Sequence, residues 1–204
     1  MSEPVTSQYM TIDEYLAFEN KSKVRHEYVR GHVFAMTGAT DAHNVICGNL
    51  YAPLHGFLRG SPCIAYINDM KVHVEIMESF YYPDIMVSCE PFDPASIFKC
   101  NPRLIIEVLS HSTQHIDRRE KLVAYRQIDS LMQYVLVHQK RYLVEAHTRV
   151  SGKKWQSVPL RAKDETLVLD VQQGKTLAIS LSQIYERISL PLVVEETEEE
   201  YELA

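Results

Sequence analysis

Five of the six residues in Leu104-Ile105-Ile106-Glu107-Val108-Leu109 are apolar, and the sixth is a glutamate. A run of that length and branching reads as a strand buried on both faces of a sheet. An ionised carboxylate in such a strand costs several kcal/mol or gives up its charge, unless a cation sits beside it. The bland alternative is an edge position whose side chain reaches water. This one stretch therefore demands either a sheet edge or a buried acid with a job.

A second acid raises the same question. Tyr82-Pro83-Asp84-Ile85-Met86-Val87 reads as part of a strand over 82–88, with Pro83 near its start, where a missing N–H is tolerable. Asp is a poor strand residue, although a turn after proline would also explain it. Two carboxylates on neighbouring strands repel unless something positive lies between them, and a hard divalent ion such as Mg²⁺ suits oxygen ligands. Asp117, Lys121 and Tyr125 follow at i, i+4 and i+8, one stripe of a helix expected over 115–126. Lys121 then makes either a surface pair with Asp117 or an ammonium beside the metal, neutralising a phosphoryl oxygen or positioning the attacking water. Glu27, in Arg25-His26-Glu27-Tyr28-Val29, is one more carboxylate in a plausible strand, with a solvated face as the alternative.

The remaining pattern predicts a mixed sheet with helices against it. Thr11-Ile12-Asp13-Glu14 has the form of a capping box opening a helix through Phe18, and Arg25 to Met36 reads as two strands around Gly31. Asp41 is expected to cap a helix over 42–58, with Val45, Ile46, Leu50, Leu54 and Leu58 on one face. Short strands are expected over 63–76, then at 133–137, 142–148 and 155–160, with a closing helix over 182–187. Strands, then helix, then strands indicate an α/β (α+β) mixed sheet in a single domain over 8–190.

Bulk composition narrows the partners. The chain has 204 residues, 46% hydrophobic and 24% charged, as expected of one ordinary globular domain. No stretch approaches the length of a membrane span, and the N-terminus has no signal-peptide pattern, so a cytoplasmic location is expected. The formal charge is −6, but six glutamates lie in the last ten residues, and the remainder is charge-balanced. Residues 191–204 are thus expected to form an acidic, disordered tail. The absence of a strong basic patch fits a weak or transient nucleic-acid binder better than a tight sequence reader. Cys47, Cys63, Cys89 and Cys100 show no C-x-x-C spacing and are expected to be reduced, mostly buried thiols.

Taken in order, these motifs carry a resemblance. Pro83-Asp84 followed by Glu107-Val108-Leu109 resembles the PD-(D/E)XK nuclease signature with its lysine displaced. More closely, the chain resembles the Uma-two family of restriction-endonuclease-like proteins over about residues 10–190. The match runs through Met10-Thr11-Ile12-Asp13-Glu14-Tyr15-Leu16, Glu27-Tyr28-Val29-x-Gly31 and His43 to Asn49-Leu50. It continues through Pro83-Asp84, the Glu107 strand with Ser110-x-Ser112-Thr113, and Asp117-x-x-x-Lys121-x-x-x-Tyr125. The chain departs from the family pattern at His111, where a proline is usual. It departs again in Gln133-Tyr134-Val135-Leu136-Val137-His138, where the family has Glu-Tyr-Trp-Leu-Val-Asp.

The resemblance implies a restriction-endonuclease-like core with helices flanking a central mixed sheet. It implies Mg²⁺ (or Mn²⁺) on Asp84 and Glu107, Lys121 in place of the displaced lysine, Glu27 as supporting carboxylate, and His43 lining the cleft. It further implies a metal-dependent endonuclease acting on DNA, with a homodimer expected by analogy. The alternative is a nuclease-derived module that binds nucleic acid or assembles with proteins and no longer cuts.

Overall fold

The computed structural model describes residues 4, 8–36, 38–110 and 114–190. Helix α1 (Ile12–Glu19) starts on a complete capping box: the Thr11 side chain accepts from the Glu14 amide while the Glu14 carboxylate accepts from Thr11. Strands β1 (His26–Val29) and β2 (His32–Ala35) form the expected hairpin. Its two turn residues both have positive φ, 47° at Arg30 and 91° at Gly31. A Cβ at Gly31 would stand 2.2 Å from the exposed Tyr9 ring and push it aside, and the positive φ itself favours glycine. Helix α2 (Asp41–Phe57) buries Ile46, Cys47, Leu50 and Leu54. Its N-cap is Thr40, one residue earlier than expected, because the Thr40 hydroxyl and not the Asp41 carboxylate accepts the His43 amide.

Two mixed sheets follow. The larger contains β3 (Ile64–Ile67), β6 (Ile85–Ser88), β8 (Pro102–Leu109), β9 (Gln133–His138), β10 (Val144–Ser151) and β11 (Lys154–Leu160), in the order β11-β10-β9-β8-β6-β3. Within it only β8 and β9 run parallel. The smaller adds β4 (Lys71–Val74), β5 (Ser79–Tyr81) and β7 (Phe98–Lys99) to the first hairpin, in the order β2-β1-β5-β4-β7. The parallel step from β8 to β9 is bridged by α3 (Gln114–Ile116), a π-helical turn (Asp117–Lys121) and α4 (Leu122–Tyr125). A hairpin of β12 (Thr166–Gln172) and β13 (Lys175–Ser180) leads into α5 (Leu181–Ile184).

Strand periodicity divides β8 between two cores. Leu104, Ile106 and Val108 face α2 and the β12–β13 hairpin, packing with Ile46, Leu50, Leu167 and Leu169. Ile105 and Leu109 face the other way, against Tyr125, Tyr134, Leu136 and the Val72, Val74 and Tyr81 side chains of the smaller sheet. The mixed α/β architecture matches the expected class. Among the described residues, no helix is long and apolar enough to cross a membrane.

Local expectations fail in instructive places. The strand expected over 82–88 is only Ile85–Ser88, so Pro83 and Asp84 stand just before it. The helix expected over 115–126 contains the π turn. The β12–β13 hairpin was not anticipated, although Leu167, Leu169 and Val171 alternate inward along it. The expectation of four reduced thiols is overturned: Cys63 and Cys89 form a disulfide, leaving Cys47 and Cys100 free. They flank the Ile64–Ser88 pair of the antiparallel β3–β6 ladder, a proximity that 26 residues of separation conceal in the sequence. The His111, Ser112 and Thr113 positions and the acidic tail lie outside the described residues.

Candidate metal centre

Strand register sets Asp84 against Glu107. Ile85 pairs with Ile106 in the antiparallel β6–β8 ladder, so the next step outward opposes these two acids on one face. There the ladder gives way to side chains. The Val108 amide donates to Asp84 Oδ2 at 2.7 Å, and the Asp84 amide donates to Glu107 Oε2 at 3.3 Å. Glu107 lies on an interior strand with its side chain 4% exposed, which rules out the sheet-edge explanation. Asp84 is half-buried, its side chain 17% exposed.

The ammonium of Lys121 enters from the π turn. Its Nζ lies 2.9 Å from Glu27 Oε1, 3.2 Å from Glu107 Oε1 and 3.1 Å from Asp117 Oδ1. The Asp117 contact is an ion pair that is not aligned as a hydrogen bond. Tyr125, one helical turn on, donates to Glu107 Oε1 at 3.0 Å. Glu27 also accepts the Tyr82 amide at 3.4 Å, tying the smaller sheet to the residue two before Asp84. Asp117 and Lys121 are both buried, so their pairing is no surface salt bridge. A π turn is a frequent device at functional sites, and this one keeps Asp117 and Lys121 on the same side.

The charges do not balance. Among the described residues, Glu27, Glu107 and Asp117 share the Lys121 ammonium, while Asp84 stands beside Glu107. Burial, then the neighbouring Asp117, Asp84 and Glu27 charges, holds Glu107 well above the usual carboxylate range despite Lys121. Burial raises Glu27 as well, again against the pull of Lys121. Burial alone would discharge Lys121, but Asp117, Glu107 and Glu27 outweigh it and hold the ammonium charged well above its ordinary range. Oxygen donors with surplus negative charge suit a hard divalent cation, so the residues present fit Mg²⁺.

His43 and Cys47 complete the surroundings of Asp84. His43 Nε2 lies 3.1 Å from Asp84 Oδ2, and His43 Nδ1 lies 3.6 Å from the Cys47 sulfur. Burial disfavours the charged imidazole, yet the Asp84 hydrogen bond and charge raise His43 above its usual range.

The mixed α/β fold is shared with a solved structure. A crystal structure from Anabaena variabilis, described as "a putative nuclease belonging to DUF820", superimposes with a TM-score of 0.73 over 88% of this chain and 99% of that one. At 15% identity that likeness speaks for the fold alone. The chain belongs to the Uma2 family, described as "Putative restriction endonuclease", whose pattern matches residues 12–180. Two uncharacterized proteins of Synechocystis, sll1609 and slr1290, are 32% and 31% identical over 153 residues, covering 74% of this chain and 86% and 80% of theirs.

All four acid and lysine positions singled out in the sequence (Glu27, Asp84, Glu107 and Lys121) thus converge on one cluster, and His43 joins it through Asp84. One participant was not foreseen. Cys47 reads as core in an apolar helical face, and only its i, i+4 spacing from His43 hints otherwise. Tyr125 stands on the expected Asp117–Lys121–Tyr125 stripe, and its hydroxyl reaches Glu107.

Proposed function

We propose that the protein is a Mg²⁺-dependent endonuclease that hydrolyses phosphodiester bonds of DNA. The observation that carries this reading is the surplus of enclosed carboxylates, three on one ammonium with Asp84 beside them, at the mouth of two adjacent strands. Asp84 and Glu107 would hold the ion, which supplies Lewis acidity and a more acidic water when bound. Lys121 sits on the Glu107 oxygen, where its charge neutralises a phosphoryl oxygen or orients an attacking water. Glu27 and Asp117 fix the position of that ammonium, and Tyr125 fixes the Glu107 carboxylate. The Val108 amide and His43 orient Asp84. A homodimer in the cytoplasm would present two such sites to two strands, and sedimentation of the purified protein would test the pairing.

The direct test is cleavage of supercoiled plasmid and of single-stranded DNA with Mg²⁺ or Mn²⁺, comparing the wild type with Glu107→Gln. Metal-dependent nicking that disappears in the variant supports the reading; equal nicking by both refutes it. A second reading rests on the same ammonium. Because three carboxylates already engage Lys121, the network could serve a binding or assembly module that no longer cuts. Metal-dependent stabilisation without cleavage of any nucleic acid would favour that module.

A further inference from the structure

Asp84 has a second set of neighbours that Mg²⁺ does not use. One ring nitrogen of His43, the Cys47 sulfur and one Asp84 oxygen all lie within 4.8 Å of one another. His43 and Cys47 stand one turn apart on α2 and therefore share a face, while Asp84 is held in place by the Val108 amide. The pocket is enclosed: the His43 side chain is 12% exposed, and Cys47 is 1% exposed.

From this geometry we infer a second cation pocket in the cleft, His43–Cys47–Asp84, that takes a borderline-soft divalent ion of the Zn²⁺ type. The inference rests on the reading of Asp84 as a cation ligand and adds to it a nitrogen and a sulfur donor. Mixed nitrogen, sulfur and oxygen sets select Zn²⁺-like ions over Mg²⁺, which prefers oxygen alone. Tetrahedral Zn²⁺, with bonds of about 2.0–2.3 Å, spaces its donors roughly 3.3–3.6 Å apart. The contacts here are 3.1 Å for His43–Asp84 and 3.6 Å for Cys47–His43. They use opposite ring nitrogens, so ligation through one of them requires the imidazole to turn within the pocket. Binding forms a metal–sulfur bond, breaks the Cys47 S–H bond and releases that proton to solvent, with no change of oxidation state. Three protein ligands leave a fourth position for water or a phosphoryl oxygen.

The competing explanation is a hydrogen-bond chain from the Cys47 thiol through His43 to Asp84 that never holds metal. Cobalt distinguishes the two. Metal-stripped full-length protein titrated with Co²⁺ is expected to develop a near-ultraviolet thiolate-to-cobalt charge-transfer band at one equivalent. The band is expected to vanish in Cys47→Ser and His43→Ala and to persist in Cys100→Ser and Glu107→Gln. Cys100 is the proper control because Cys47 and Cys100 are the two free thiols. Circular dichroism establishes that each variant is folded, and Cys47→Ala replaces Cys47→Ser if the latter is not. No band in the wild type overturns the inference whatever the variants do. A band that survives in folded Cys47 variants but is lost in Cys100→Ser also overturns it. The outcome is separable from the nuclease reading: the band without DNA cleavage leaves the pocket standing and removes the nuclease. Cleavage dependent on Glu107 without the band does the reverse.

Discussion

Two buried carboxylate pockets lie on either side of Tyr82, and they are built on opposite principles. In the first, Glu19 accepts the Tyr82 hydroxyl at 2.7 Å and the His26 amide at 3.0 Å, while its other oxygen lies 2.9 Å from His26 Nδ1. One acid has a full set of donors, and Lys71 backs the Tyr82 hydroxyl at 3.3 Å. In the second, Glu27, Glu107 and Asp117 divide one Lys121 ammonium, with Asp84 alongside. Tyr82 serves both, its hydroxyl to Glu19 and its amide to Glu27. A buried acid whose donors are complete secures the fold. A buried acid in surplus is expensive in the bare protein and becomes favourable only with a cation. Burial alone therefore does not mark a functional carboxylate; the charge balance around it does.

The comparison breaks most sharply at Glu107. Glu107→Gln is expected to reduce metal-dependent cleavage on the order of 10²–10³-fold, the usual cost of removing one electrostatic stabiliser. The metal-free variant should melt no lower than the wild type, since one repelling charge is gone. A melting temperature well below the wild type would place Glu107 with Glu19 as a structural acid. Lys121→Met should destabilise by about 3–5 kcal/mol, because it strands three carboxylates, and adding Glu107→Gln should recover part of that loss in a denaturant titration. No recovery would mean that Lys121 matters for packing alone. Glu19→Gln should cost about 1–3 kcal/mol through the unmatched donors it leaves. Its cleavage rate per folded molecule should match the wild type, and a selective loss of rate would erase the distinction between the pockets.

The smallest expected effect lies in pH. Glu107 and Glu27 are raised above the ordinary value of 4.5, so the folded protein keeps protons that the unfolded chain has released. Their cost is absent below that value and grows as pH climbs from it toward the folded-state value. Lys121 is raised as well, so its favourable contribution is intact below 10.5 and is lost only above that. A divalent ion would take over from the retained protons. The Mg²⁺-induced rise in melting temperature is therefore expected to grow between about pH 5 and 8, and a rise independent of pH would show that the ion binds elsewhere.

What could be read from the sequence follows from the range of the interactions involved. Glu107 and Asp84 stand out because an acid in an apolar strand violates a local pattern. The lysine stripe is equally local. The Glu19–His26–Tyr82 pocket is not: Glu19 and Tyr82 are 63 residues apart, and each alone reads as an ordinary polar residue. Cys47 was hidden by its own apolarity. The Cys63–Cys89 link depends on a strand register that composition does not encode. The Thr166–Ser180 hairpin is faint in the sequence because its alternation is carried by few residues near the end of the fold.

The π turn at Asp117–Lys121 also sets how this segment can change over time. Losing one residue there would regularise the helix, but it would rotate one half against the other by about 100°. Tyr125, beyond the lost residue, would then turn away from Glu107. Substitutions on the outer side, at the exposed Val123 for example, leave that geometry alone, whereas insertions and deletions do not. The segment can drift in chemistry but not in length.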